Sequence, residues 1–139
     1  MFRIYLPLFF LILLPSQIFG QTAGCEYPKE GPYVCKFGDL IRETGHFLKG
    51  KKHGEFKYYD FGGKLTRQWY YQHGKQEGEE KTFYQSGELR ILRTYKNDIR
   101  LTEESFYENG NHRHKKSMDS LGKQGTHYEY RENGKLRKT

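Results

Sequence analysis

Beyond about residue 30, apolar and aromatic residues alternate with polar ones in short runs, and glycine-containing corners separate the runs. In the run LRILRTY, Leu89 and Ile91 fall on one side of an extended chain, whereas Arg90 and Leu92 fall on the other. Short runs with a period of two are typical of β-strands. All four prolines lie within the first 32 residues, so no later run contains the residue that sheet interiors exclude. The pattern predicts an all-β domain.

The corners recur at a nearly fixed period. One series recurs every 24 residues: Gly50, Gly74, Asp98 and Gly122. A second series recurs at spacings of 24, 23 and 24 residues: Gly63, Gly87, Gly110 and Gly134. Two corners per period predict one hairpin per period, and Asn-Gly at 109–110 and 133–134 predicts type I′ turns there. The glycines expected to act as turn residues are Gly50, Gly54, Gly63, Gly74, Gly78, Gly87, Gly110, Gly122 and Gly134.

The register of tyrosine, glycine and leucine across these units, as in YYDFGGKL and FYQSGELR, resembles the bacterial variant of the MORN repeat. This variant occurs in antitoxin-like proteins of the YwqK family, and the resemblance implies an antitoxin or immunity function. The predicted fold is an elongated, twisted, single-layer sheet of tandem antiparallel hairpins over residues 31–139, with about four and a half units. Asp98 and Thr102 replace both glycines of the third unit, where we expect less regular hairpins.

Residues 1–20 have the layout of a secretory signal peptide: Arg3, an apolar run from Ile4 to Leu14, then a short polar region. Cleavage near Gly20/Gln21 is favoured, with residues 21–30 as a linker. Lipidation of Cys25 is a weaker alternative, because polar residues separate its Thr-Ala-Gly-Cys motif from the apolar run, and a retained membrane anchor is a third. We expect the chain to be exported to the periplasm, the cell envelope or the medium.

Two cysteines, Cys25 and Cys35, enclose nine residues. In an oxidising compartment they are a candidate disulfide that closes a short loop at the edge of the domain. If Cys25 is instead lipidated, Cys35 is left as a single thiol.

Motifs for catalysis or cofactor binding are weak. Gly74-Lys75 invites a phosphate-loop interpretation, but the same corner recurs at Gly50-Lys51 and Gly122-Lys123, which favours a repeated turn. His112 and His114 are two residues apart, as a metal pair on a strand would be, yet no cluster of ligating residues lies beside them in sequence. We therefore predict no catalytic residues, no metal and no cofactor.

Charge and aromatic content favour a binding function. The chain has 24 Lys and Arg against 17 Asp and Glu; without Arg3, the one charged residue of the signal, 23 against 17 leaves a net charge of +6. The predicted binding face carries Tyr58, Trp69 and Tyr70 among Lys and Arg residues. The predicted partner is a protein, which could be a toxin, with an anionic lipid or surface polymer as the alternative. Export argues against nucleic acid as a partner.

Overall fold

The computed structural model describes residues 25–119, 121 and 123–138. The predicted signal peptide, residues 21–24 of the predicted linker, and Gly122 therefore lie outside the described residues. Within the described residues the chain forms twelve β-strands: β1 (Gly31–Phe37), β2 (Leu40–Leu48), β3 (Lys51–Lys52), β4 (Gly54–Tyr59), β5 (Leu65–Gln72), β6 (Lys75–Gln76), β7 (Gly78–Phe83), β8 (Leu89–Lys96), β9 (Ile99–Phe106), β10 (His112–Met118), β11 (Gln124–Tyr130) and β12 (Leu136–Lys138). None of the described segments is a helix with the length and apolarity needed to cross a membrane.

The strands form one open antiparallel sheet in which neighbours follow chain order. The path runs β1-β2-β4-β5-β7-β8-β9-β10-β11-β12, while the two-residue strands β3 and β6 pair with β2 and β5. Every connection is therefore local, as expected when each repeat contacts only its neighbours. The predicted all-β array of tandem antiparallel hairpins is confirmed.

The first series of corners forms two-residue turns with both central residues at positive φ. Lys49-Gly50, His73-Gly74 and Asn97-Asp98 all adopt this conformation, which is that of a type I′ turn. Asp98 replaces the glycine of the third unit without losing the turn, because the short polar side chains of Asn and Asp tolerate the left-handed region.

The second series of corners uses a different turn, and the predicted type I′ geometry of the Asn-Gly pairs is wrong. Gly110 and Gly134 have positive φ but Asn109 and Asn133 do not. The side-chain oxygen of Asn109 accepts a hydrogen bond from the Asn111 backbone N–H at 3.0 Å, which holds the asparagine in a local turn at negative φ.

The third unit is one residue shorter because its bulge is smaller. In the first unit, three residues of β2 separate the cross-strand pair Phe47–Lys52 from the pair Thr44–Lys57, whereas five residues separate the same pairs along the facing segment from β3 to β4. Between Thr94↔Thr102 and Tyr95↔Arg100, β8 advances one residue while β9 advances two. One extra residue instead of two accounts for the spacing of 23 between the corners of this unit.

The core lies on one side of the sheet, which we call the packed face. Its aromatic half consists of four side chains that are at most 7% exposed: Tyr33, Phe47, Phe56 and Trp69. The disulfide that joins Cys25 and Cys35 packs against this cluster. Gly45 lies beneath the Phe56 ring, where a Cβ atom would overlap ring carbons. A single layer thus excludes water by laying large rings over neighbouring strands.

The packed face changes from aromatic to ionic one period later. Phe56 pairs with Trp69 across β4 and β5, and the equivalent pair across β7 and β8 is Glu80 with Arg93. Glu80 is 1% exposed, so the central part of the sheet is held by buried charge where the preceding unit uses aromatic packing.

Candidate functional site

A groove on the packed face has a volume of about 650 Å³. It lies where β5 meets β7 and the following corner, and we call it the β5–β7 groove. Its walls are formed mainly by aromatic rings and arginines, with one carboxylate: Tyr58, Arg67, Trp69, Tyr84, Arg90 and Glu108. A recess of this size can take several side chains of a partner.

The two arginines of the groove stack on aromatic rings. The Arg67 guanidinium lies 4.7 Å from the Trp69 ring centroid, and that of Arg90 lies 5.6 Å from the Tyr84 centroid. Nε of Arg67 is also 3.1 Å from Oε1 of Glu80. Arg90 makes no ion pair with any described residue. The ring faces orient both cations while the outward N–H groups stay available to an anionic ligand.

The aromatic walls are held in fixed positions by their hydroxyl groups. The Tyr84 hydroxyl donates to the Phe106 carbonyl oxygen at 2.7 Å, which ties the ring across to β9. The Tyr58 hydroxyl accepts from Nη2 of Arg42 at 2.8 Å, and the same guanidinium stacks on Phe61 at 3.8 Å. A site whose side chains are already ordered loses little conformational entropy on binding.

The structure separates the three residues of the predicted binding face. Tyr58 and Trp69 both line the β5–β7 groove, although Trp69 is 7% exposed and offers only part of its ring. Tyr70 lies on the opposite side of the sheet, where it pairs with Glu55. Successive residues of a strand point to opposite faces, so Tyr70 does not join Tyr58 and Trp69 in the β5–β7 groove.

The predictions from sequence missed Arg67, Tyr84 and Arg90. A signal for two of them exists, since Tyr107 and Arg113 repeat the Tyr84 and Arg90 pair 23 residues later. The Arg113 guanidinium lies 5.8 Å from the Tyr107 centroid. The same stacked pair therefore recurs in two successive units: a tyrosine at the start of the corner and an arginine six residues later.

Glu80 sits behind the groove and fixes its arginine. Its Oε1 accepts from Nη1 of Arg93 at 3.0 Å and its Oε2 from Nε2 of Gln76 at 2.8 Å. Burial raises the pKa of the Glu80 carboxyl, but the hydrogen bond from Gln76 and the guanidinium groups of Arg67 and Arg93 outweigh burial and hold it below its ordinary value. The carboxylate stays ionised at neutral pH and orients Arg67 toward the groove.

A second carboxylate extends this ionic network. Oε2 of Glu103 lies 2.7 Å from Nε of Arg93 and 2.8 Å from Nη1 of Arg100. Burial raises the pKa of the Glu103 carboxyl. Arg93, and after it Arg100 and Lys116, lower this pKa by more than burial raises it, so the net shift is downward. The network links β7, β8 and β9.

The histidines are arranged differently from the sequence expectation. A bulge at Arg113 breaks the alternation, so His112 bonds to Oε2 of Glu104 at 2.7 Å instead of facing the same way as His114. Burial, and secondarily Arg113, lower the pKa of His114. Within residues 25–119, 121 and 123–138, His114, His127 and Glu129 are placed where they could hold a metal ion, since their ligand atoms lie within 4.8 Å of one another.

Three segments of the chain match the family model of the MORN repeat variant: residues 52–75, 76–97 and 123–139. The first match begins at the last residue of β3 and includes the β4–β5 hairpin, and the second begins at the last residue of β6 and includes the β7–β8 hairpin. The third match includes β11 and β12. The unit in which Asp98 and Thr102 replace glycine lies between the second and third matches. The predicted MORN resemblance is confirmed over the matched segments. A comparison with curated proteins gives no match.

Proposed function

We propose that this chain is an exported, non-enzymatic repeat protein that binds an acidic segment of a protein partner in the β5–β7 groove. The observation that carries the proposal is the convergence of Arg67 and Arg90 with four aromatic residues in one recess. MORN repeats are commonly modules that bind proteins or membranes. Arginine and aromatic side chains are also the residues that contribute most to protein–protein binding energy.

The shape and charge of the molecule favour a protein partner over an anionic surface. The arginines lie in a recess, which suits side chains that project from a partner rather than a flat layer of headgroups. On the opposite face, lysines alternate with glutamates. Nζ of Lys57 lies 2.6 Å from Oε2 of Glu55, and Nζ of Lys81 lies 2.9 Å from Oε2 of Glu79. Paired charges of both signs give that face little attraction for an anionic membrane.

Binding to acidic peptides tests the proposal. Peptides that carry two or three carboxylates around one aromatic residue are titrated into the full chain, with fluorescence of Trp69 as the readout. Arg90→Gln is expected to weaken binding at least tenfold, because a charge-assisted hydrogen bond contributes about 1.5–3 kcal/mol. Lys81→Gln, which removes the same charge from the opposite face, is the matched control and is expected to bind within about twofold of wild type.

Anionic vesicles provide the competing measurement. Binding to vesicles that is equally sensitive to Lys81→Gln and Arg90→Gln, together with no affinity for the peptides, would contradict the groove proposal and indicate a surface-binding function. The antitoxin function implied by the family resemblance is a special case, in which the partner is a toxin. Coexpression with a toxin encoded beside this chain tests it, and protection that Arg90→Gln abolishes is the expected result.

Export is proposed from the sequence of residues 1–20, and intact mass measures it. A mature chain that starts at Gln21 and is two hydrogens lighter than its reduced form is expected. A mass increased by a diacylglyceryl group at Cys25 would indicate a lipoprotein of the cell envelope instead.

A further inference from the structure

The β10–β11 hairpin brings two histidines and a glutamate together on the packed face, far from the β5–β7 groove along the sheet. The strand register places His114 opposite Glu129 and Lys116 opposite His127. Because side chains two apart on a strand point the same way, His114, His127 and Glu129 project from one side. The centroids of the two imidazole rings are 5.7 Å apart.

Both imidazoles have a buried nitrogen that lacks a hydrogen-bond partner. Among the described residues, Nδ1 of His114 and Nε2 of His127 are buried without one. Oε1 of Glu129 lies 3.8 Å from Nε2 of His127, which is too long for a hydrogen bond. Buried polar atoms are almost always paired, so two unpaired nitrogens beside one carboxylate indicate a missing binding partner.

We propose that His114, His127 and Glu129 bind a divalent late first-row metal ion of the Zn²⁺ class. Imidazole and carboxylate are the ligands such ions take in proteins, and two histidines with one glutamate leave a coordination position open. Tetrahedral coordination at bond lengths of about 2.0–2.2 Å requires ligand atoms about 3.3 Å apart. The ligand atoms now lie within 4.8 Å of one another, so binding would require the side chains to close by up to about 1.5 Å.

The cluster is partly open to solvent, because the side chains of His127 and Glu129 are 28% and 26% exposed. An ion would reach the buried ring nitrogens past these side chains, and its remaining coordination position would take water or a ligand. Lys116 projects from the same face, but its Nζ is directed toward Oε1 of Glu103 at 3.9 Å. The ion would fasten β11 to β10, next to the last described strand, β12.

Zn²⁺ binding by the tag-free full chain tests the proposal, because a polyhistidine tag would itself bind the ion. Competition with a chromogenic chelator is expected to show one tightly bound Zn²⁺ per chain. His127→Asn, which removes one imidazole ligand, and Glu129→Gln, which keeps the size of the side chain but removes its charge, are each expected to weaken binding by more than the roughly 10–100-fold that loss of an outer-shell partner costs. In the Co²⁺-loaded protein, the same variants are expected to lose the strong visible absorption of a tetrahedral site.

Two control variants separate this site from other histidines. His112→Asn removes an imidazole that bonds to Glu104, and a His53→Asn/His73→Asn variant removes a second pair of rings with centroids 5.0 Å apart. Both controls are expected to bind Zn²⁺ within about twofold of wild type. Loss of binding in the His53/His73 variant alone, or unchanged binding in His127→Asn and Glu129→Gln, would overturn the proposal.

A stability measurement covers the case in which a variant folds poorly. Zn²⁺ is expected to raise the urea midpoint of the wild type and not that of His127→Asn, because an ion that binds only the folded state stabilises it. Circular dichroism in the absence of metal shows whether His127→Asn retains the wild-type strand content. No change in the wild-type midpoint at saturating Zn²⁺ would contradict the proposal.

Discussion

Replacing Glu80 with glutamine is expected to lower the free energy of unfolding by about 3 kcal/mol. Removing one member of a buried ion pair costs about 3–5 kcal/mol, because the remaining charge loses its partner without regaining water. The lower end applies here, since Arg67 is 46% exposed and Arg93 keeps Glu103 at 2.7 Å. The amide would still fill the space of a side chain that is 1% exposed, so the loss reports charge and not a cavity.

Urea unfolding at neutral pH, followed by circular dichroism and by Trp69 fluorescence, measures this loss. With a urea dependence of about 2 kcal/mol per molar, the midpoint of Glu80→Gln should fall by about 1.5 M. A loss of less than about 1 kcal/mol would refute the reasoning, because the carboxylate would then behave as a surface group.

The neighbouring repeat supplies a matched control. Phe56 and Trp69 occupy the positions of Glu80 and Arg93 one period earlier, so the double variant Glu80→Phe/Arg93→Trp transfers the aromatic pair. It is expected to recover part of the loss caused by Glu80→Gln, since a hydrophobic replacement of a buried pair is often neutral. It should not recover all of it, because Glu103 loses Arg93 and because Trp69 stands beside residue 80 where Gly45 stands beside Phe56. A double variant as unstable as Glu80→Gln would show that this part of the sheet requires the charges themselves.

Three further perturbations test other parts of the structure. Acid is expected to destabilise the fold: the folded pKa values of Glu80 and Glu103 lie below their ordinary 4.5, so their stabilisation is complete above that pH and is lost as pH falls through the folded values. Urea midpoints at about pH 6 and pH 3 check this, and Glu80→Gln should reduce the difference. Gly45→Ala should lower the free energy of unfolding by about 1–3 kcal/mol, because the new methyl group overlaps the fully buried Phe56 ring. Adding Phe56→Leu should recover part of this loss, and an equal loss in the single and double variants would contradict the overlap. Reducing the N-terminal disulfide should cost about 2.7 kcal/mol for so short a loop, and identical urea midpoints with and without dithiothreitol would refute that contribution.

The strand and turn plan of this protein was predictable because it is local information. Alternation within runs such as LRILRTY, the regular corners and the lack of late prolines correctly predicted tandem hairpins. The side of the sheet predicted for Arg90 was wrong, because a bulge at Arg90 interrupts the alternation and brings this residue into the β5–β7 groove. The turn at Asn97-Asp98 also follows from local chemistry, since both residues tolerate positive φ. The Asn-Gly turns were mispredicted because in each corner the asparagine side-chain oxygen accepts a hydrogen bond from the backbone N–H two residues on, which favours a different backbone conformation.

The candidate sites depended on register, which the local pattern does not contain. A bulge at Arg113 moves His112 away from His114 and leaves His114 opposite Glu129 and near His127, residues that are scattered in the sequence. Whether a ring lies in a groove or on the outer face is decided in the same way, by how many residues each bulge adds before the next cross-strand pair.

The sequence by itself determined that this chain is a repeating all-β array, because periods of two and of 24 are written in the order of its residues. Only the tertiary structure decided which arginines meet which rings, that Glu80 is buried between two guanidinium groups, and that two histidines lie beside one glutamate. Those contacts join residues from different strands, and a shift of one residue in pairing would send each side chain to the other face of the sheet.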